Sequence, residues 1–265
     1  MKKRKRLGKP VEWPDQWAAV ESGKAVWDDF TFKERTVKGW LIPYLFQIDP
    51  MFSNRWNYWI NTLEAGKIIG KIPQIDFDEI PNPETMKNLE KCLTHHCCYA
   101  SSVSFPDFIQ WILYGFGGID EWPFRVDEKV NEYWYRTFNL GLMLQHPYDY
   151  LGALLGEHKF GRWNNPNGFY ATPHSLVKTM VQMLFSEDKD HREKSVLEPC
   201  VGTGRMLMYA SNFSLNLYGQ DNDPVCVMAC KVNAYLYIPW LVKPAPWLKI
   251  NGNHRIKGRK RLGQS

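Results

Sequence analysis

The sequence predicts an α/β protein in which a mainly helical, aromatic-rich N-terminal region, residues 1–160, precedes a parallel strand–helix unit, residues 161–265. Three observations carry this expectation. Up to about Phe160 the chain is dense in Trp and Tyr, and its apolar residues recur at helical spacing between Pro and Gly breaks. Beyond Gly168, short apolar runs alternate with helical patterns, the order expected of a parallel sheet. A Gly-rich turn joins the first of these runs to the helix that follows it.

The chain opens on Lys2, Lys3, Arg4, Lys5, Arg6 and Lys9, and a second basic group, from Lys249 to Arg261, lies at its other end. Within a net charge of only +5, two such tails suit contact with a phosphate backbone, or are simply solvated. Leu-Gly-Lys-Pro follows Arg6 in place of an apolar signal core, and no window approaches the roughly 20 apolar residues of a membrane span. The expectation is a soluble, cytoplasmic protein whose six cysteines are free thiols.

Trp40 to Ile48 is an apolar run, partly strand-like but interrupted by Pro43, and it leads into Asp49-Pro50-Met51-Phe52. Cys92-Leu-Thr-His-His-Cys-Cys98 has the residue types of a zinc site but no second ligand pair at a conventional distance, so a buried, unligated cluster is the simpler reading and no metal is expected. From Ser101 to Gly115, Phe108, Ile109, Ile112 and Leu113 repeat at helical spacing, and Tyr114-Gly-Phe-Gly-Gly118 ends the run. The aromatics of this region read as core, with a base-stacking platform as the alternative.

Gly161-Arg-Trp-Asn-Asn-Pro-Asn-Gly168 is polar and turn-rich and marks the expected boundary. Thr172-Pro173 then reads as a helix cap followed by proline at the first helical position. Leu176, Val177, Met180, Val181 and Leu184 give that helix one apolar face. A strand over Ser195 to Glu198 runs into Pro199-Cys-Val-Gly-Thr-Gly204 and a helix from about Arg205. A second strand, Leu215 to Tyr218, precedes Gly219-Gln-Asp-Asn-Asp223-Pro224, where Asp223 and Pro224 start a helix to about Tyr237. Cys226 and Cys230 share a face of it, most simply as packing residues, and Trp247 to Ile250 reads as a third strand ending at Asn251-Gly-Asn253.

Glycine has no Cβ, so Gly202-Thr-Gly204 lets backbone approach a ligand closely. In dinucleotide-type sites an acidic residue about 20 positions on, at the end of the next strand, bonds ribose hydroxyls. Asp221 stands nineteen positions after Gly202. The glycines alone describe no more than a tight turn; the acid at this distance makes a nucleoside-type cofactor the stronger reading.

Gly168-Phe-Tyr-Ala-Thr-Pro173, Val196-Leu-Glu-Pro-Cys-Val-Gly-Thr-Gly204 and Gly219-Gln-Asp-Asn-Asp-Pro224, in that order, resemble the cofactor motifs of N6-adenine DNA methyltransferases, most closely the modification subunits of type I restriction systems. The likeness spans about Gly168 to Asn253, a third of the chain. It implies part of a Rossmann-like methyltransferase fold that binds S-adenosylmethionine. It implies that Phe169, Tyr170 and Thr172 hold the methionine end of that cofactor. Glu198, Pro199, Gly202 and Gly204 belong to the loop beneath it, Asp221 to the ribose and Asn222 to the adenine. Asn253 stands where the family usually has an acid facing the adenine amino group, and its side-chain oxygen can still accept that bond.

Those enzymes continue into a strand ending in Asp/Asn/Ser-Pro-Pro-Tyr/Phe, which holds the flipped target base. No such tetrapeptide follows Asn253 in the twelve residues that remain. Catalytic residues are therefore not identified; the weak candidates are Asp49, Pro50 and Phe52, which would serve a circularly permuted enzyme, with Asn164 to Asn167 a poorer one. The strand at Val196-Leu197 would also lack a neighbour, so a partner protein is expected to cover that edge. The resulting expectation is a cofactor-binding relative of these enzymes that contacts DNA through its tails and transfers no methyl group alone. The alternatives are an active enzyme, permuted or completed by a partner chain, and a nucleic-acid-binding protein that keeps the fold as scaffold. Neither a Ser-His-Asp order nor a Gly-Lys-Ser/Thr phosphate loop is present.

Overall fold

Pro43 sits in the first turn of helix α1 (Ile42–Ile48), where its missing N–H costs nothing, and the chain then tightens into a 3-10 turn over Asp49–Met51. Leu41, Leu45 and Ile48 bury one side of this segment at helical spacing. The strand-like character expected of Trp40 to Ile48 is thus corrected to helix. The computed structural model to which this belongs describes residues 36–94, 103–123, 125–156, 169–185 and 189–242.

Asn54, in the left-handed conformation that asparagine tolerates, turns the chain into α2 (Arg55–Ala65). After an extended stretch, Asn82 caps α3 (Pro83–Thr94) by accepting from the Glu84 and Thr85 amides at 3.0 and 3.1 Å. A Ser104–Asp107 capping box with Pro106 in the first turn starts α4 (Phe105–Gly115), whose Phe108, Ile109, Ile112 and Leu113 are fully buried as their spacing predicts. Asp127 and Asn139 cap α5 (Glu128–Thr137) and α6 (Leu140–Gln145), and α7 (Tyr150–Gly156) closes the run of helices.

The second part begins with α8 (His174–Leu184), followed by strand β1 (Ser195–Glu198), α9 (Arg205–Ala210), strand β2 (Asn216–Gly219), α10 (Pro224–Tyr237) and α11 (Pro239–Val242). β1 and β2 pair in parallel, Ser195 opposite Asn216 through Glu198 opposite Gly219, as the strand–helix–strand order requires. The described chain is therefore helix-rich with a small parallel sheet, in keeping with an α/β fold. The third strand expected at Trp247 to Ile250, the turn at Gly161 to Gly168 and both basic tails lie outside the described residues.

α10 is apolar on nearly every side and buried accordingly, packing most extensively against α4. Phe116, just past α4, stacks on Tyr235 at 5.0 Å, and the Trp56 indole N–H donates to the Tyr235 carbonyl at 2.7 Å. Trp111 and Trp134 are likewise buried, their N–H groups donating to Asn131 and to the Cys92 carbonyl. These aromatics form one continuous core with the residues around the sheet, and the N-terminal helices are what α10 rests on. No helix among the described residues is long and apolar enough to cross a membrane.

α8 departs from expectation in two ways. It starts one residue later than Thr172-Pro173 implies, with Pro173 extended at the cap position and Thr172 making no side-chain cap. Of its predicted apolar face only Val177 and Val181 are buried; Leu176, Met180 and Leu184 are exposed, as is Met183 at 82%. Leu197 of β1 is 65% exposed, and β1 has no second neighbouring strand among the described residues.

Candidate functional site

The two strands end side by side, and their ladder continues into the loops beyond them. Gln220 N–H donates to the Glu198 carbonyl at 3.1 Å, and Val201 N–H to the Gln220 carbonyl at 2.9 Å. This sets the loops after β1 and β2 next to each other at the carboxyl end of the sheet, where open parallel sheets bind ligands. Gly202, at φ +52, then directs its N–H to the Asp221 carboxylate at 2.8 Å. The other Asp221 oxygen accepts from the Asp223 amide at 2.9 Å. The glycine and the acid that the sequence places nineteen positions apart are thus in direct contact.

A cavity of about 590 Å³ opens here, lined by Phe169 and Tyr170 on one side, Pro199, Cys200 and Gly202 below, and Gln220 to Asp223 with Cys226 on the other. Its size is that of a small-molecule site. A smaller recess of about 90 Å³ adjoins it, shares Phe169, Tyr170, Cys200 and Gly202, and adds Thr172, Glu198, Thr203 and Arg205. Phe169 lies against Gly202 so closely that a Cβ there would meet its ring at 3.1 Å. Tyr170 is 88% exposed at the mouth.

Of the residues expected at the site, Phe169, Tyr170, Thr172, Glu198, Pro199, Gly202, Asp221 and Asn222 line one or both cavities. Gly204 lines neither. Its φ of +93 and the 2.8 Å that would separate a Cβ from the Cys230 sulfur show why glycine stands there: it turns the loop into α9 against α10. Glu198 uses one oxygen to accept from the Cys200 amide at 3.2 Å. Asn253 lies outside the described residues.

Asp49, Pro50 and Phe52 are not brought to this site. A permuted enzyme needs them at the carboxyl end of a strand beside Val196-Leu197, whereas they form the 3-10 turn and its exit between α1 and α2. Asp49 is wholly buried, and its oxygens accept from the Ser53 hydroxyl and the Arg55 and Trp56 amides at 2.7, 3.1 and 2.9 Å. Arg55 in turn donates to the Tyr237 carbonyl, at the last turn of α10, while the cavity lies at its first turn. Fourteen helical residues hold those two ends about 20 Å apart. The correction has a plain cause: the carboxylate is committed to capping a helix. Asn164 to Asn167 lie outside the described residues.

Cys92 is buried, and burial pushes its thiol well above the usual range; His95 to Cys98 lie outside the described residues. Among the described residues no group of metal-ligating side chains gathers. Cys226 and Cys230 pack as expected, but Cys226 also forms part of the cavity wall, which the sequence reading missed. Burial, then the charges of Asp223 and Asp221, push its thiol up to about 12.

The larger omission is Asp149. It is wholly buried and accepts from Thr203 Oγ1 at 2.5 Å, from Arg205 Nε at 3.1 Å and from Asn233 Nδ2 at 2.8 Å. Arg205 passes the connection on, donating from Nη1 to the Thr172 carbonyl at 2.6 Å. Beside it His174 stacks on Tyr148 at 4.3 Å and meets the Tyr209 hydroxyl at 3.0 Å. Burial and the Arg205 charge, opposed by Asp149, pull its imidazole down to about 4. The one local signal for Asp149 is its place at the start of α7, where its carboxylate accepts from the Gly152 amide.

Residues 153–238 match the family model described as N-6 DNA Methylase. That segment begins within α7, ends just past α10 and contains every residue that lines the two cavities. The likeness to N6-adenine DNA methyltransferases drawn from the three motifs is thereby shown over this segment. No curated protein and no solved structure matches the chain.

Proposed function

We propose that this relative of the N6-adenine DNA methyltransferases binds S-adenosylmethionine at the carboxyl end of its sheet and, as an isolated chain, transfers no methyl group. The observation that carries the reading is the Gly202–Asp221 hydrogen bond at the floor of a 590 Å³ cavity lined by all three motifs. Asp221 retains lone pairs that would accept from two ribose hydroxyls, Asn222 would face the adenine, and Phe169, Tyr170 and Thr172 would take the methionine end. Glu198, Asp221 and Asp223 surround the space with carboxylates, which suits a cofactor whose sulfonium and ammonium groups are cationic. When bound, that cofactor supplies an activated methyl group.

No Asp/Asn/Ser-Pro-Pro-Tyr/Phe tetrapeptide stands in the sequence given, so this reading assigns no residue to hold the acceptor amine. The edge of β1 that has no neighbouring strand among the described residues and the exposed Leu197, together with the exposed apolar side chains of α8, support a partner protein that covers this face. Activity is then expected only in that partner's presence. DNA contact through the basic tails, a role in a restriction-modification setting and a cytoplasmic location belong to the same reading. Calorimetry of the chain with S-adenosylmethionine tests the first half: absence of binding ends it and leaves a scaffold-only protein. A tritiated-methyl assay on duplex DNA tests the second, because robust transfer by the purified chain would overturn the non-catalytic assignment.

A further inference from the structure

Asp149 touches neither cavity, yet both walls of the site hang from it. One oxygen takes the Thr203 hydroxyl and the Arg205 guanidinium, and the other takes Asn233 of α10 and the Gly152 amide. Thr203 lies inside the Gly202–Gly204 turn, and Asn233 also donates to the Thr203 carbonyl at 2.9 Å. Arg205 holds the Thr172 carbonyl, which belongs to the opposite wall. The centre of the assembly is closed to water, with Asp149 and Asn233 fully buried and Arg205 nearly so. Gly152 shows how tightly it is built. A Cβ at that position would stand 2.1 Å from Asp149 Oδ2 and 2.7 Å from Thr203 Oγ1, so α7 can press onto the pair only with glycine there.

A buried ion pair commonly does no more than satisfy its own charges. Here the partner of the carboxylate spends its remaining nitrogen on the backbone of the Phe169–Thr172 segment, and Thr172, Thr203 and Arg205 all border the smaller recess. We infer that Asp149 is a positioning residue that keeps the Phe169–Thr172 wall in register with the Gly202–Gly204 turn and so sets the affinity for the methionine half of the cofactor. The inference rests on the cofactor reading above. On that reading the adenosine half would be held from Asp221 and Asn222, which Asp149 does not touch.

That asymmetry gives the test. Calorimetry on the full chain compares S-adenosylmethionine with 5′-methylthioadenosine, which keeps the adenine and ribose but lacks the amino-acid end. Asp149→Asn is expected to weaken S-adenosylmethionine about tenfold or more while changing 5′-methylthioadenosine by less than about threefold. Equal losses for both ligands, or none for either, would overturn the inference, since a merely structural role moves them together. Should that variant fail to fold, Thr203→Val removes one donor at similar volume and is expected to show the same split at about fivefold. If the unaltered chain binds neither ligand, the cofactor reading fails by itself. Hydrogen exchange then decides the positioning role: faster exchange at 169–172 and 201–205 with α2 unchanged supports it, and uniform or absent change overturns it.

Discussion

Asp221 shows how one side chain joins two expectations. Its carboxylate ties the Gly202 amide to the start of the α10 cap and still faces the cavity. Asp221→Ala should therefore weaken S-adenosylmethionine binding by about 1.5 to 3 kcal/mol, read by calorimetry. A folded variant with unchanged affinity would remove the ribose role. His174 makes a different prediction. Its folded value of about 4 lies below the roughly 6.5 of an unfolded histidine, so between those values the unfolded chain holds a proton that the folded chain refuses. Stability is thus expected to fall as pH drops from about 6.5 to 4, by roughly 2 to 3 kcal/mol, and to be unaffected by this group below that window. Tyr148, Tyr209, Arg205 and Asp149 are the groups that face it. Urea titrations across the window should show a shallower decline for His174→Gln; identical slopes would mean the loss comes from other groups.

Elements obey local signals where those signals have no competitor. Asp223-Pro224 starts α10 as read, with the Asp223 carboxylate accepting from the Val225 amide at 2.8 Å. The same cap-plus-proline pattern at Thr172-Pro173 does not hold, because Arg205 takes the Thr172 carbonyl and Pro173 stays extended. Asp49 caps α2 from six residues before it, through a turn that no spacing rule for a single helix describes. Asp49→Ala is expected to cost about 1 to 3 kcal/mol of stability, since it removes the carboxylate that accepts from the Arg55 and Trp56 amides. Cofactor affinity of the folded variant should not change. Loss of affinity without loss of stability would return Asp49 to the site.

On the scale of the molecule, the helices before residue 160 and the sheet share one core, with α10 between them. Side chains on α10 and on α8 should consequently respond to substitution with very different magnitudes. Leu236→Ala, at a fully buried position, should cost about 2 to 5 kcal/mol, while Met183→Glu, at one that is 82% exposed, should change stability by less than about 0.5 kcal/mol. A large destabilisation by Met183→Glu in the isolated chain would show that this face is already covered. The exposed apolar side chains of α8 are legible in the sequence only as an amphipathic stripe, which says that a face is apolar and leaves open what covers it.

The local geometry around the cavity is legible in the sequence where its signals are short-range. A glycine turn after a strand, an acid at the end of the next strand and a cap before Pro224 each follow from a few neighbouring residues, and all three stand where the sequence places them. The parallel pairing of β1 and β2 follows from the helix between them. Asp149 was not readable, since its meaning comes from Thr203, Arg205 and Asn233, which lie 54 to 84 positions away. Nor was the capping role of Asp49, where an Asp-Pro dipeptide fits a catalytic loop and a helix turn equally well. Local sequence determines backbone conformation and the side chains that a turn or cap requires; which distant groups a buried carboxylate must satisfy is settled only when packing removes it from water.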